Sequence, residues 1–295
     1  MREDILRRLT RWPIPIMPMR LATSQYSGEW ESPYKGKGLE FRSHRPYQLG
    51  DDFRTIHMAT SVRTGRKMVV ERVVRRDINM LVVLDCTPSM GMRHKADVLL
   101  TVALMLVYSG ISLEMRTGAA LAVNGNYYRL GTGMGHRHGL RLFNRIETAC
   151  RQLREGSPLS LEFPRVEDHK LMPVGGILLY LSDFLDERGY SRDVSTFAIE
   201  SHRYDFVPVV IQDGFEYSFP DIEDDTLLEL NNPETGHTDP VWMGRTEKKL
   251  IRSLHEKRFA GLQENFSSRG IPFVHVQDPA LDEVHRTLNR FFVLR

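Results

Sequence analysis

Residues 78 to 91 read Ile78-Asn79-Met80-Leu81-Val82-Val83-Leu84-Asp85-Cys86-Thr87-Pro88-Ser89-Met90-Gly91. The run up to Leu84 is apolar without strict alternation, which predicts a central strand of a parallel sheet, since such a strand is covered by helices on both faces. The run stops abruptly at an aspartate, and two hydroxyl residues follow it at two-residue spacing. In open α/β sheets, ligands collect beyond the carboxyl ends of the strands, where the connections part to opposite faces. The expected fold is therefore α/β, a doubly wound and mainly parallel sheet, with its site at the rim where Asp85 stands.

The rest of the chain supports this reading. Gly176-Ile177-Leu178-Leu179-Tyr180-Leu181-Ser182-Asp183 repeats the design of an apolar run closed by an aspartate. Asn124-Gly125 between two strand-like runs (114–123 and 127–130) is a strong hairpin signal and predicts one antiparallel strand in the sheet. Helices are expected over 95–109, 140–153, 191–203, 245–268 and 279–292, and further strands over 205–211 and 272–276. The segment Gly131 to Gly139 reads as a Gly-rich loop. Residues 1–13 read as a short helix stopped by Pro13.

Two regions carry no helical periodicity. Residues 14–76 are irregular and basic, with eleven Lys/Arg against four Asp/Glu between 35 and 76. Lys67 to Val74 has the β-branched alternation of an edge strand. Residues 213–244 are acidic and turn-rich. The expected organisation is an α/β domain over 77–212 and 245–295, with 213–244 as an acidic insertion packing with 14–76 in a small strand-rich appendage.

Composition narrows the function. Forty Lys/Arg against 38 Asp/Glu leave a formal charge of +2, so the molecule as a whole favours neither nucleic acid nor an acidic partner. Two cysteines, Cys86 and Cys150, are too few for a disulfide framework and point to a reducing compartment. The charged start Met1-Arg2-Glu3-Asp4 lacks a secretory pattern, which makes the expected location cytoplasmic. Val98 to Leu113 is apolar but interrupted by Thr101, Ser109, Gly110 and Ser112, and falls short of the roughly 20 residues that span a bilayer; a buried helix is expected, with no membrane span.

At the rim, Asp85, Thr87, Ser89 and Asp183 offer hard oxygen ligands of the kind Mg²⁺ takes, Mn²⁺ being the alternative. The plainer reading makes Asp85 or Ser89 a helix cap. An enzymatic reading, a metal-dependent hydrolase or phosphotransfer protein using Asp85 and Asp183, lacks the second carboxylate that a nucleophilic aspartate usually has close by in sequence, because Thr87 stands there. His136 and His138 have no evident third zinc ligand, and Gly131 to Gly135 lacks the Lys-Ser/Thr of a P-loop.

Asp85-Cys86-Thr87-Pro88-Ser89, the antiparallel strand and Leu181-Ser182-Asp183 resemble the von Willebrand factor A fold with its metal-ion-dependent adhesion site (MIDAS). Gly36-Lys37-Gly38-Leu39-Glu40-Phe41, Arg45-Pro46-Tyr47-Gln48-Leu49-Gly50-Asp51-Asp52-Phe53-Arg54-Thr55-Ile56, Leu181-Ser182-Asp183-Phe184 and Glu234-Thr235-Gly236 resemble the bacterial family called domain of unknown function 58, over about residues 25 to 294.

This resemblance implies a von Willebrand A-like protein that works with a MoxR-type AAA+ ATPase in assembly, maturation or chaperone-like remodelling, and it implies no demonstrated catalytic activity; the expected function is a non-enzymatic, metal-assisted interaction module. The resemblance also implies metal ligands at Asp85, Thr87, Ser89 and Asp183, with the later hydroxyl from Ser157 or from Thr132. Met90, Ser182 and Thr132 are the expected partner contacts, and a client protein would add an Asp or Glu to the metal. A structural adaptor with a dead metal site is the remaining alternative. The sequence departs from the family where Ile56-His57-Met58 stands in place of the usual Ile-Asp-Trp.

Overall fold

The computed structural model describes residues 13–17, 39–48, 53, 56–74, 78–167, 171–185, 201–214, 216, 226–231 and 236–295. Two compact units divide the chain: Thr23–Asp77 is one, and Met1–Ala22 with Ile78–Arg295 is the other. The helices expected over 1–13 and 191–203 fall largely outside the described residues.

In the smaller unit, β1 (Leu39–Pro46) pairs antiparallel with β2 (Met68–Val74), and a short helix, α1 (Met58–Thr64), comes between them in sequence. The departure at His57 has a local explanation. Its Nδ1 accepts the Thr60 N–H at 3.2 Å, so His57 caps the helix as a short acidic side chain would. Gly65, at φ 66°, ends it in the left-handed conformation.

The larger unit runs β3 (Asn79–Asp85), a 3-10 turn (Pro88–Gly91), α2 (Lys95–Ser112), β4 (Arg116–Val123), β5 (Asn126–Gly133), α3 (His136–Arg154), β6 (Arg165–Val166), β7 (Ile177–Ser182), β8 (Asp205–Ile211), β9 (Thr226–Asn231), β10 (Thr238–Met243), α4 (Arg245–Ser268), β11 (Val274–Val276) and α5 (Leu281–Leu294). Seven strands form one sheet in the order β11-β8-β7-β3-β4-β5-β6. All neighbours are parallel except β5, which runs antiparallel to both β4 and β6. β9 and β10 form a separate antiparallel pair.

The apolar run of β3 explains the layering. Met80, Val82 and Leu84 enter one core with side chains of α2, α3 and α5, while Leu81 and Val83 enter a second with Leu262 and Phe266 of α4. A two-residue period thus feeds two cores, and the strand is apolar throughout because neither face meets water. α2 is long and apolar enough to cross a membrane by length and composition, but 78% of it is buried inside this fold.

The turn between β4 and β5 is the one Asn-Gly predicts: Asn124 (φ 49°) and Gly125 (φ 72°) are both left-handed. Three expectations need correction. Gly131 to Gly133 is strand rather than loop; a register shift between Ala119 and Ala120 lets β5 continue, while β6 pairs with its start at Tyr127 and Tyr128. His138 is buried inside α3, with its Nε2 2.9 Å from the Thr117 carbonyl, so the His136/His138 pair does not share a loop. Residues 14–17 belong with the α/β unit: Ile14 and Ile16 are buried in its larger core, and the Ile14 N–H donates to Ser109 Oγ at 3.2 Å.

Candidate functional site

Leu84 of β3 and Leu181 of β7 are register partners in adjacent parallel strands, so Asp85 and Ser182-Asp183 leave the sheet side by side. Asp85 Oδ1 accepts the Thr87 N–H at 3.0 Å, and its Oδ2 accepts the Ser182 hydroxyl at 2.6 Å. Pro88 opens the 3-10 turn, which folds the chain so that the Thr87 and Ser89 hydroxyls lie 3.1 Å apart. The turn is pressed against the end of α3: a Cβ at Gly91 would stand 2.5 Å from the Leu153 carbonyl oxygen. Only glycine allows this approach without displacing backbone.

Asp183 is held differently. Its Oδ1 accepts the Leu185 N–H at 3.2 Å, while its Oδ2 takes an ion pair from Lys95 Nζ at 2.7 Å. Lys95 opens α2, only 2% exposed, and its ammonium also pairs with Glu216. Glu216 in turn accepts the Asp213 N–H at 3.1 Å, and Asp213 pairs with Arg93 at 3.4 Å. Two ion pairs thereby tie the connection after β8 to the turn before α2. Arg93 and Phe184, next to this cluster, are both left-handed non-glycines, at φ 50° and 54°; such conformations persist where the surroundings enforce them.

The two carboxylates differ in electrostatics. Burial raises the Asp85 pKa to about 6, with the charge on Asp183 adding to it and the Ser182 and Thr87 hydrogen bonds pulling it back. Among the described residues Asp85 thus has polar neighbours but no direct cation. Burial works against the Lys95 charge, yet Asp183 and Glu216 outweigh it and raise its pKa. A lysine at a helix N-terminus also faces the positive end of the dipole, which makes these two carboxylates its necessary partners.

The structure separates the expected site residues. Asp85, Thr87, Ser89 and Asp183 share one rim. Thr132 does not: it pairs with Gly118, whereas Asp85 pairs with Ala122, four residues further along β4, or roughly 13 Å away at about 3.3 Å per residue. Ser157 lies exposed just after α3, its N–H donating to the Gln152 carbonyl at 2.9 Å; among the described contacts none joins its hydroxyl to the rim. Met90 is fully buried in the core and Ser182 is 4% exposed, so neither offers a partner surface. Ser182 instead orients Asp85, while its oxygen accepts the Phe184 N–H at 3.1 Å. Lys95 and Glu216 escaped the sequence reading, although a lysine opening an otherwise engulfed helix was a usable signal.

Residues 43–264 match the family described as Protein of unknown function DUF58. The chain belongs to this family. Uncharacterised proteins of Mycobacterium bovis and Mycobacterium tuberculosis are 24% identical to this DUF58 chain over 204 residues, 67% of its length and 62% of theirs. It therefore spans less than two thirds of the curated relatives it matches. Among solved structures, the pilus adhesin SpaC of Lactobacillus rhamnosus GG gives a TM-score of 0.40 at 11% identity, covering 74% of this chain and 30% of the adhesin. Proximal thread matrix protein 1 of the mussel byssus gives 0.36 at 8%, covering 73% and 46%. These scores are too low to refine the fold assignment.

Among the described residues no three His, Cys, Asp or Glu side chains converge as a metal-binding group. A cation at this rim would have to draw on hydroxyl oxygens. Asp85 with Thr87 and Ser89 supplies such a set, all hard oxygen.

Proposed function

We propose that this DUF58 chain is a non-enzymatic, metal-assisted protein-interaction module, a von Willebrand A-like sheet with an adhesion-type site at its rim. The observation that carries the reading is the convergence of Asp85, Thr87 and Ser89 at the end of a central strand, with Asp183 emerging beside them from the neighbouring strand. Asp85 and the two hydroxyls would hold Mg²⁺, or Mn²⁺ in its place, with Asp183 beside them on the same rim.

The metal would supply a positive centre with ligand positions left to outside groups, the behaviour expected of a hard cation with few protein ligands. The residues of the chain do the rest. The Ser182 hydroxyl and the Thr87 N–H fix the Asp85 carboxylate, Pro88 sets the turn that carries Ser89, and Gly91 seats that turn on α3. A client Asp or Glu would complete the site. A MoxR-type AAA+ ATPase, the partner that the family resemblance implies, would provide the work for assembly, maturation or remodelling. Ion and client carboxylate must then favour the same rim conformation.

Calorimetry and thermal unfolding with Mg²⁺ test this on the wild type and Asp85→Ala, with and without the ATPase. Mg²⁺ is expected to stabilise the wild type alone and to tighten its complex with the ATPase. Equal stabilisation of both proteins would remove the metal from the reading, and a phosphatase or peptidase turnover abolished in Asp85→Ala would replace it with an enzyme.

A further inference from the structure

Lys95 places a positive charge at the rim proposed to hold a metal. Its ammonium lies 2.7 Å from Asp183 Oδ2 and contacts Glu216 as well, and its side chain is 3% exposed. The two carboxylates come from separate connections, one after β7 and one after β8, and Lys95 bridges them. An ion pair so buried is costly to half-dismantle, because removing one partner leaves a charge without compensation. Lys95, however, has two partners, so it can give up one and keep the other.

We infer that Lys95 is a tethered cation that competes with a divalent metal for Asp183, and that Glu216 is the second seat on which the ammonium remains when Asp183 is released. This rests on the metal reading of Asp85, Thr87 and Ser89 given above. With the ammonium on both carboxylates, Asp183 is neutralised and a divalent ion at Asp85 faces a nearby positive charge. With the ammonium on Glu216 alone, Asp183 returns its negative charge to the rim. Glu216 is tied to the Asp213 N–H, and Asp213 to Arg93, so the exchange is coupled to the connection after β8. Metal affinity is thereby set by a residue that is not itself a ligand, and a partner that bears on this connection would change it.

The paired substitution Lys95→Met with Glu216→Gln tests this, because it removes one charge of each sign and leaves the net charge of the cluster unchanged while freeing Asp183. Mg²⁺ titration by calorimetry, with circular dichroism to verify folding, is expected to show binding at least tenfold tighter than in the wild type, and Asp85→Ala added to the pair should abolish it. A folded double variant that binds Mg²⁺ no more tightly than a wild type that does bind would overturn the role of Lys95 while leaving the metal site standing. Absence of binding in both proteins would instead refute the metal site, and the competition with it. Should the double variant fail to fold, Glu216→Gln alone decides: loss of the second seat is expected to weaken Mg²⁺ binding at least tenfold, and unchanged affinity would count against the inference.

Discussion

β3 and β7 are built alike, each an apolar strand covered on both faces and followed by a carboxylate at the same rim. They end in opposite electrostatic states. Asp183 receives a buried ammonium, whereas Asp85 receives an amide N–H and a hydroxyl. Equivalent positions in a sheet therefore do not make equivalent carboxylates: Asp183 is paired with a lysine, while Asp85 is held by hydrogen bonds. The difference locates any chemistry at β3 and makes the end of β7 the support for it.

Substitution should split the two. Asp183→Asn leaves Lys95 with Glu216 alone and is expected to destabilise the protein by about 2 to 4 kcal/mol, measured by urea unfolding. Ser182→Ala removes the hydroxyl that reaches Asp85 across the strands and should cost about 1 to 2 kcal/mol. It should also raise the pKa of Asp85 further, which a carboxyl titration by NMR would detect. Asp85→Asn removes a buried charge at the expense of one mismatched hydrogen bond, so in metal-free buffer the net change is expected to be under about 1 kcal/mol. If Asp85→Asn proved as damaging as Asp183→Asn, the contrast would collapse.

A smaller pH effect bears on the support beneath β7. Gln212 donates to the Asp183 carbonyl at 3.5 Å, and its Oε1 lies 3.1 Å from Nε2 of His275. Burial, with His255 adding repulsion, lowers the His275 pKa to about 4. A histidine less basic when folded than when unfolded contributes stability above its unfolded pKa, and that contribution is lost as the pH falls through about 6.5 towards 4. Allowing for the ring's partial exposure, the loss should be about 1 kcal/mol. His275→Leu should flatten the slope of stability against pH in this window, as measured by urea midpoints.

The parts of the fold that residues announce locally were legible in the sequence. The unbroken run from Met80 to Leu84 marks a doubly covered strand, and Asn124-Gly125 marks the turn from β4 to β5 because few other residues tolerate two successive left-handed conformations. The limits of α4 could be read from its sequence alone. What escaped depends on long-range meetings. Lys95 reads as a solvated helix start until Asp183 and Glu216, 88 and 121 residues later, are brought to it. Thr132 lies in a stretch that reads as a Gly-rich loop, yet register sends it to the far end of β4. Met90 sits within the motif, but the 3-10 turn points it inward.

Ile14 and Ile16 lie in the same core as strands that resume at residue 79, while the unit Thr23–Asp77 occupies the chain between them. The smaller unit is therefore an insertion, joined at both ends to a single body. Docking Ile14 and Ile16 closes a loop around the whole insertion, at an entropic cost of about 3 to 4 kcal/mol if the inserted chain is unstructured. That cost falls when the insertion folds first and holds its own ends together. The order of folding and the fate of a truncated chain are thus linked: a protein beginning at Ile78 would lack the two isoleucines that complete its core, even with every strand of the sheet present.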